Sequence, residues 1–457
     1  MEPTEQYQAS DLREALLASG LFDADWYAQQ YPDVALTGLE PLEHFVSVGM
    51  LMERDPGPDF SVAFMRSVEL DQRTHGKNVL RRRLENGRLE IAKHRVLLGA
   101  KALADLGRIE DAARLARQYL GRAVDRPLEL FAANSELERG DRQAWLSHLN
   151  DYLAPFQIRP LRLKPGKTLL DQLCADTVPR VTGGPLVSII MSAFDAVTTI
   201  EPAIASILKQ SWENLELLIV DDASNDGTWS VLQRIAATDS RVCLRRNPRN
   251  VGPYVSRNLA LRDAKGAFIT GHDADDWAHP QRIENHMARV LNADGAIKAG
   301  TNMMLRVKPS GKFDNMIPSS PHHSPDGIRR RAFVSCLFER EAMEQKLGYF
   351  DSVLFGGDGE MLHRAQKVFG SAYQDFDQFA MLCLDAPQSL TNHPKYGLTT
   401  PTGISKTRQQ YQLAYQKWHS ETGCEGLYLP FPVKRRPFAA SSELRIAEAD
   451  IQAVIGC

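Results

Sequence analysis

The 457-residue chain has only six cysteines, Cys174, Cys243, Cys336, Cys383, Cys424 and Cys457, and no two stand in CxxC spacing. That scarcity argues against a zinc ribbon or a disulfide framework and suits a reducing compartment. Long apolar runs are missing too: no stretch approaches the roughly 18 residues of a membrane span, and Met1–Gln8 is polar and acidic, without a signal-like apolar core. The expected location is therefore the cytoplasm, with any membrane contact peripheral, on the inner face. Neither sign of charge dominates. Lys and Arg number 54 against 57 Asp and Glu, a formal net charge of −3, so nothing in the whole chain pulls toward nucleic acid or anionic lipid, and no nucleic-acid partner is expected. Apolar residues are plentiful at 43%, and a prior of about 150 residues per domain gives two or three domains.

Residues 1–60 read as a small helical module. Ser10-Asp11-Leu12 opens one helix, and the text Phe22-Asp23-Ala24-Asp25-Trp26-Tyr27, Tyr31-Pro32-Asp33-Val34 and Pro41-Leu42-Glu43-His44-Phe45 supplies caps and packing anchors together. Residues 61–155 read as a helical spacer: the apolar spacing through Leu106, the Gly107-Arg108 break and the run through Leu120 predict one tetratricopeptide-like hairpin. Without a fixed repeat, a solenoid is not expected. The Pro-, Lys- and Gly-rich 156–184 reads as linker and docking strap.

At Leu186 the pattern changes. Strands are predicted at Leu186–Met191, Leu215–Val220, Val242–Arg245 and Ala267–Thr270, with helices at Thr199–Gln210, Thr228–Ala237 and Pro253–Ala264 between them. Val-, Ile- and Leu-rich strands alternating with helices imply a mostly parallel sheet covered on both faces, with ligands at the carboxyl ends of its strands. Three such ends are polar: Ser192 to Asp195, Asp221 to Asp226, and His272 to Asp276. The last holds Asp273, Asp275 and Asp276, three carboxylates in four residues, which repel one another unless a cation compensates; hard oxygen ligands suit Mg²⁺ or Mn²⁺. Standing alone, the same residues read as a turn capping the next helix.

The blocks "MSAFDA", "VDDASNDGT", "NVGPYVSRNLAL" and "GHDADDWAHP", followed by Phe333–Glu341, Lys346–Asp351 and Phe355–Arg364, resemble in order the family 2 glycosyltransferases with the GT-A fold, over roughly residues 184–365. Residues 1–60 are similar to a short module attached to bacterial polysaccharide glycosyltransferases. The resemblance implies an α/β GT-A (Rossmann-like) catalytic domain at 185–400 behind an all-α N-terminal region. Its nucleotide half would be 185–300 and its acceptor half 301–400, with a lid and C-terminal arm at 401–457. It implies an inverting, metal-dependent transfer of a sugar from a nucleoside diphosphate, UDP by preference, to a glycan or lipid-linked acceptor in surface polysaccharide synthesis.

By resemblance, Asp222 would bind the nucleobase and Ser192 the base or ribose, while Asp195 stands where the family commonly has Asn. Arg257 would hold the diphosphate or buttress the carboxylates, against a reading as a surface Arg–Asn pair. Asp275 would bind metal, Asp273 metal or ribose, and Asp276 the donor sugar, unless it caps the following helix. Asp358 would be the base, with Gly357 where the family usually has Glu. Asp226-Gly227-Thr228 reads as a helix cap. His322, His323 and His393 sit on loops as alternative metal or acceptor contacts, and His272 is expected to pack. Lys395–Lys406 has the composition of a lid over the donor. The Lys434-Arg435-Arg436 tip would meet anionic lipid or dock on the N-terminal helices, which also offer a protein-partner surface. Two other functions stay open: a non-catalytic scaffold of the same fold, and a nucleotidyltransferase, which "MSAFDAVTT" disfavours for want of a Gly-rich basic loop.

Overall fold

A computed structural model describes residues 9–69, 79–86, 91–314, 323–324, 327–387, 389–398 and 404–456. The chain divides into two compact units, one mainly of residues up to Ser135 and one mainly of Glu136 onward. The first is helical. The Asp23 carboxylate accepts the Trp26 N–H at 2.9 Å and caps the helix Ala24–Gln30. Leu16, Tyr27, Val34, Phe45 and Phe60 fill its core, where the Tyr27 hydroxyl meets His44 Nδ1 at 3.2 Å. The helices Lys93–Asp105 and Ile109–Leu120 form the predicted hairpin. The helix Arg142–Leu153, read from sequence as the end of the spacer, belongs to the second unit. Its Trp145 is fully buried, donates Nε1–H to the Gly311 carbonyl at 2.9 Å and stacks on Phe313.

In the second unit the strands are β1 (Leu161–Leu163), β2 (Leu173–Ala175), β3 (Val187–Ala193), β4 (Leu215–Asp221), β5 (Val242–Arg246), β6 (Phe268–Gly271), β7 (Asp276–Ala278), β8 (Ala299–Val307), β9 (Arg330–Arg331), β10 (Leu337–Glu339) and β11 (Tyr373–Leu384). β1 and β2 pair antiparallel inside the expected strap, and Val181 then exchanges backbone hydrogen bonds with Ser211 and Glu213 beside the large sheet. The large sheet runs β5-β4-β3-β6-β10-β8-β11-β7, with β9 on β8. β5, β4, β3 and β6 are parallel, as are β8 and β11; β10 lies antiparallel between the two sets, and β7 antiparallel to β11. This is the mostly parallel α/β sheet of the GT-A expectation, behind a helical N-terminal region.

Alternation along the strands sorts the core onto two faces. Ile189, Met191, Leu217 and Ile219 pack with Ile204, Ile207, Ile283 and Met287, from the helices Ile200–Leu208 and Arg282–Leu291. Ile190, Leu218 and Val220 pack with Val255 and Leu259 of the helix Pro253–Asp263, with Met361 and Leu362 of Gly357–Phe369, and with Ile451 and Val454 of Glu448–Ile455. Each buried Leu or Ile side chain contributes about 1.5–3 kcal/mol relative to exposure. The strands are thereby held in one register, and β3, β4 and β6 end side by side.

Candidate active site

β6 ends at Gly271, and the chain turns through Asp273–Asp275 before re-entering the sheet as β7. The turn crowds its carboxylates: oxygens of Asp273, Asp275 and Asp276 lie within 4.8 Å of one another. Burial, then the charge on Asp273, pushes Asp275 up to about 6. Burial, then Asp275 and Asp273, pushes Asp276 well above the usual carboxylate range. Asp276 caps no helix, contrary to one reading of the sequence. It opens β7 opposite Cys383 of β11, its Oδ1 accepts the Leu384 N–H at 3.1 Å, and the following helix begins only at Arg282.

Arg257 answers this negative charge. The helix Pro253–Asp263 buries it to 6% exposure, which excludes the surface Arg–Asn reading, and its guanidinium donates to Asp273. Its Nε is buried without an acceptor among the described residues, leaving one N–H for an anion. One turn before Arg257, the Tyr254 ring lies 5.2 Å under the guanidinium, and its hydroxyl donates to Asp358 Oδ1 at 2.7 Å. Asp358 stands in the first turn of the helix Gly357–Phe369. Gly357 is explained by the same ring: a Cβ there would meet Tyr254 ring carbons at 2.9–3.1 Å. The absent side chain makes room for a tyrosine bonded to the neighbouring carboxylate.

At the other strand ends Asp222 is buried, and its carboxylate accepts from Asn247 Nδ2 at 2.8 Å, Val251 N–H at 3.0 Å and Gly252 N–H at 2.7 Å. Burial raises it and these bonds hold it down; it braces the loop 247–252. Its neighbour Asp221 pairs with Arg246 at 3.1 Å and keeps one buried oxygen without a donor among the described residues. Ser192 lies on β3 directly opposite Val220. Asp195 is exposed, adopts φ 45°, and accepts the Asn225 N–H at 2.8 Å, tying the loop after β3 to that after β4. Asp226 accepts from the Thr228 amide and hydroxyl at the start of the helix Thr228–Ala236, and from the Val197 amide, but it stands one residue before the N-cap position, Gly227, and no side chain caps the helix.

Residues 188–320 match the family model described as glycosyl transferase family 2. The likeness to glycosyl transferase family 2 rests on this segment. Relatives include an uncharacterised glycosyltransferase of Haemophilus influenzae, 38% identical over 107 residues, 23% of this chain and 43% of that one. Another is the Escherichia coli UDP-Glc:alpha-D-GlcNAc-diphosphoundecaprenol beta-1,3-glucosyltransferase WfaP, 38% identical over 102 residues, 22% of this chain and 40% of that one. The chain spans 38–60% of the length of the first four curated relatives it matches. Among solved structures, the Pyrobaculum calidifontis mannosyltransferase PcManGT, in complex with GDP-Man and Mn²⁺, aligns over 72% of this chain and 79% of its own at 18% identity and a TM-score of 0.38.

Around the family 2 segment the remaining candidates separate. His272 is fully buried against Arg282, and burial, then that cation, lowers it well below its usual range, so it packs as expected. His393 Nδ1 accepts the amides of Lys395 and Tyr396, a turn-forming role. His323 makes a β-bridge to Arg330; His322 lies outside the described residues. So do Thr399, Thr400, Pro401 and Gly403 of the expected lid, while its flank is tied down by Lys395 and Tyr396 on Glu443. Of the basic tip, Arg436 turns inward to Asp351, which also accepts the Tyr411 hydroxyl at 3.0 Å; Lys434 and Arg435 are exposed. No helix among the described residues is long and apolar enough to cross a membrane.

Sequence reasoning passed over Tyr254, although its i,i+3 spacing to Arg257 puts both on one helix face. It also passed over Arg282, fully buried, whose guanidinium donates to the Thr270 hydroxyl at 3.0 Å and the Gly271 carbonyl at 2.6 Å and so holds the end of β6. Nothing local in the sequence marks that contact.

Proposed function

We propose that this chain is an inverting glycosyltransferase moving a sugar from a nucleoside diphosphate, UDP by preference, to a glycan or lipid-linked acceptor of surface polysaccharide. One observation carries the reading: the carboxylates Asp273, Asp275 and Asp276, the buttressing Arg257 and the carboxylate Asp358 are linked through Tyr254 at the carboxyl end of a parallel sheet. Relatives named for action on a diphosphoundecaprenol-linked sugar support the acceptor class.

In this reading Ser192, Asp195 and Asp222 edge the nucleobase end of the cleft, Asp222 through the loop it braces, and Asp276 borders the donor sugar. The residues present suit Mn²⁺ or Mg²⁺, since three oxygen donors crowd together and burial with mutual repulsion raises Asp275 and Asp276. Asp273 and Asp275 would hold the ion, and when bound it would neutralise charge on the departing diphosphate. The free N–H of Arg257 suits a phosphate oxygen. Asp358 takes the proton of the acceptor hydroxyl as its oxygen attacks the anomeric carbon. The bond from that carbon to the diphosphate oxygen breaks, and the nucleoside diphosphate leaves with the electron pair. A single displacement inverts the anomeric centre.

The test is release of UDP from UDP-sugars with Mn²⁺ and a lipid-diphosphate sugar acceptor, together with UDP binding, in wild type, Asp358→Asn and Asp275→Ala. Turnover lost in Asp358→Asn with UDP binding retained, and metal-dependent UDP binding weakened in Asp275→Ala, are expected. UDP binding absent from wild type would favour a non-catalytic scaffold, and metal-dependent binding unchanged in Asp275→Ala would overturn the metal assignment.

A further inference from the structure

β8, β9, β11 and β7 place an unusual set of polar side chains on one face of the sheet. The register sets Asp276 opposite Cys383, Cys383 opposite Arg306, and Arg330 opposite Met304. Residues two apart on a strand share a face, so Asn302, Met304 and Arg306 line up, with Arg330 beside them. Arg306 is 8% exposed and balanced by Asp385 at 2.7 Å, with weaker bonds to Thr391 and the Leu384 carbonyl at 3.4 Å, yet its Nε has no acceptor among the described residues.

Arg330 makes no side-chain hydrogen bond or ion pair among the described residues, and its Nε is buried and unpartnered. Burial, then the neighbouring Arg306 charge, lowers it to about 10. Asn302, 1% exposed, leaves both its amide oxygen and its amide nitrogen without a partner among the described residues. Arg330 as a whole is half-buried, but a buried guanidinium Nε and a buried amide left unmatched are costly, and native folds satisfy such groups with a partner. The partner these groups fit is an anion. Guanidinium N–H groups and an amide N–H pair with carboxylate or phosphate oxygens, while the Asn302 carbonyl can accept a sugar hydroxyl.

The position says which anion. In the strand order, β8 and β9 lie across β6 and β10 from β4 and β5, so the polar face flanks the Asp275–Asp276 turn on the side away from the proposed nucleobase end. We propose that Arg330 and Asn302 form a subsite for an anionic group, carboxylate or phosphate, on one of the sugar substrates. This rests on the nucleotide-sugar reading above. Two sources share that chemistry: the carboxylate of a hexuronate donor, and the phosphate of a sugar-diphosphate acceptor.

The experiment uses the full chain with Mn²⁺ in two arms, comparing wild type, Arg330→Gln and Arg330→Lys. The donor arm compares dissociation constants of UDP, UDP-glucose and UDP-glucuronate. The acceptor arm compares KM for a short-chain alkyl-diphosphate-linked N-acetylhexosamine with that for the same sugar as a simple alkyl glycoside. Melting temperature and UDP affinity report whether each variant is folded. The expected result is a preference of roughly tenfold or more for the charged member of one pair, lost in Arg330→Gln and partly kept in Arg330→Lys, with UDP affinity unchanged. Loss in the donor arm names the uronate, and loss in the acceptor arm names the phosphate. If UDP binds and Arg330→Gln changes neither arm, the subsite is refuted alone; if UDP fails to bind wild type, the nucleotide-sugar reading fails and the subsite with it.

Discussion

Gly357→Ala tests the link between Tyr254 and Asp358 most directly, because two effects of opposite sign compete at that position. Gly357 begins the helix Gly357–Phe369 with ordinary backbone angles, where alanine is favoured over glycine by up to about 1 kcal/mol. Against this, the new Cβ would lie 2.9, 3.0 and 3.1 Å from three Tyr254 ring carbons, several tenths of an ångström inside ordinary contact. The ring cannot retreat freely, since it is 5% exposed, packs on Phe350 and holds Asp358. Overpacking of this kind costs about 1–3 kcal/mol, so the clash wins and the net loss is about 0.5–2 kcal/mol. Removing the ring reverses the sign. In a Tyr254→Ala background, Gly357→Ala is expected to stabilise by up to about 1 kcal/mol.

Urea unfolding of the four proteins of this double-mutant cycle gives the coupling, followed by tryptophan fluorescence; five of the six tryptophans lie in the second unit. Turnover should fall in Gly357→Ala as well, because the displaced ring carries its hydroxyl off Asp358. An equal effect of Gly357→Ala in both backgrounds would show that the Tyr254 ring does not set the cost at this position.

Tyr254→Phe removes only the hydroxyl. A hydrogen bond to an ionised group contributes about 1.5–3 kcal/mol, so turnover is expected to fall by roughly tenfold to a hundredfold. UDP affinity should stay near wild type, melting temperature should drop by a few degrees because the folded state loses the same bond, and an unchanged kcat would remove Tyr254 from the positioning role. His279 and His286 bear on pH: burial lowers them to about 4 and about 3, against about 6.5 in the unfolded chain. They stay neutral in the fold while the unfolded state takes up protons, so stability falls as pH drops below about 6.5 and continues falling to the folded values, with about 3 kcal/mol at stake for His279. Melting temperature followed from pH 7.5 to about pH 4.5 should fall less steeply in His286→Leu than in wild type; parallel curves would contradict this account.

The alternation of β3 to β6 with helices was readable because these strands are buried on both faces and run as Val-, Ile- and Leu-rich segments, for example Leu215–Val220. The turn at Asp226–Thr228 was readable for the same local reason: its bonds join residues two apart. Asp276 was not. Whether it caps a helix or opens a strand depends on pairing with β11, about a hundred residues later, and on the Leu384 amide that its carboxylate accepts. Arg436 is a similar case, since a run of three basic residues looks like a surface tip until Asp351 and Tyr411 are brought beside it.

The sequence by itself determined the alternating α/β plan, the helical N-terminal region and the family resemblance, because periodicity, caps and motif order are properties of neighbouring residues. Tertiary structure decided which of those residues touch: Arg257 on Asp273, Tyr254 on Asp358 across the space kept open by Gly357, and Arg330 left unpaired beside Asn302. Hydrogen bonds and charge compensation act over a few ångströms between groups that can lie more than a hundred residues apart in the chain, and only the folded sheet fixes those distances.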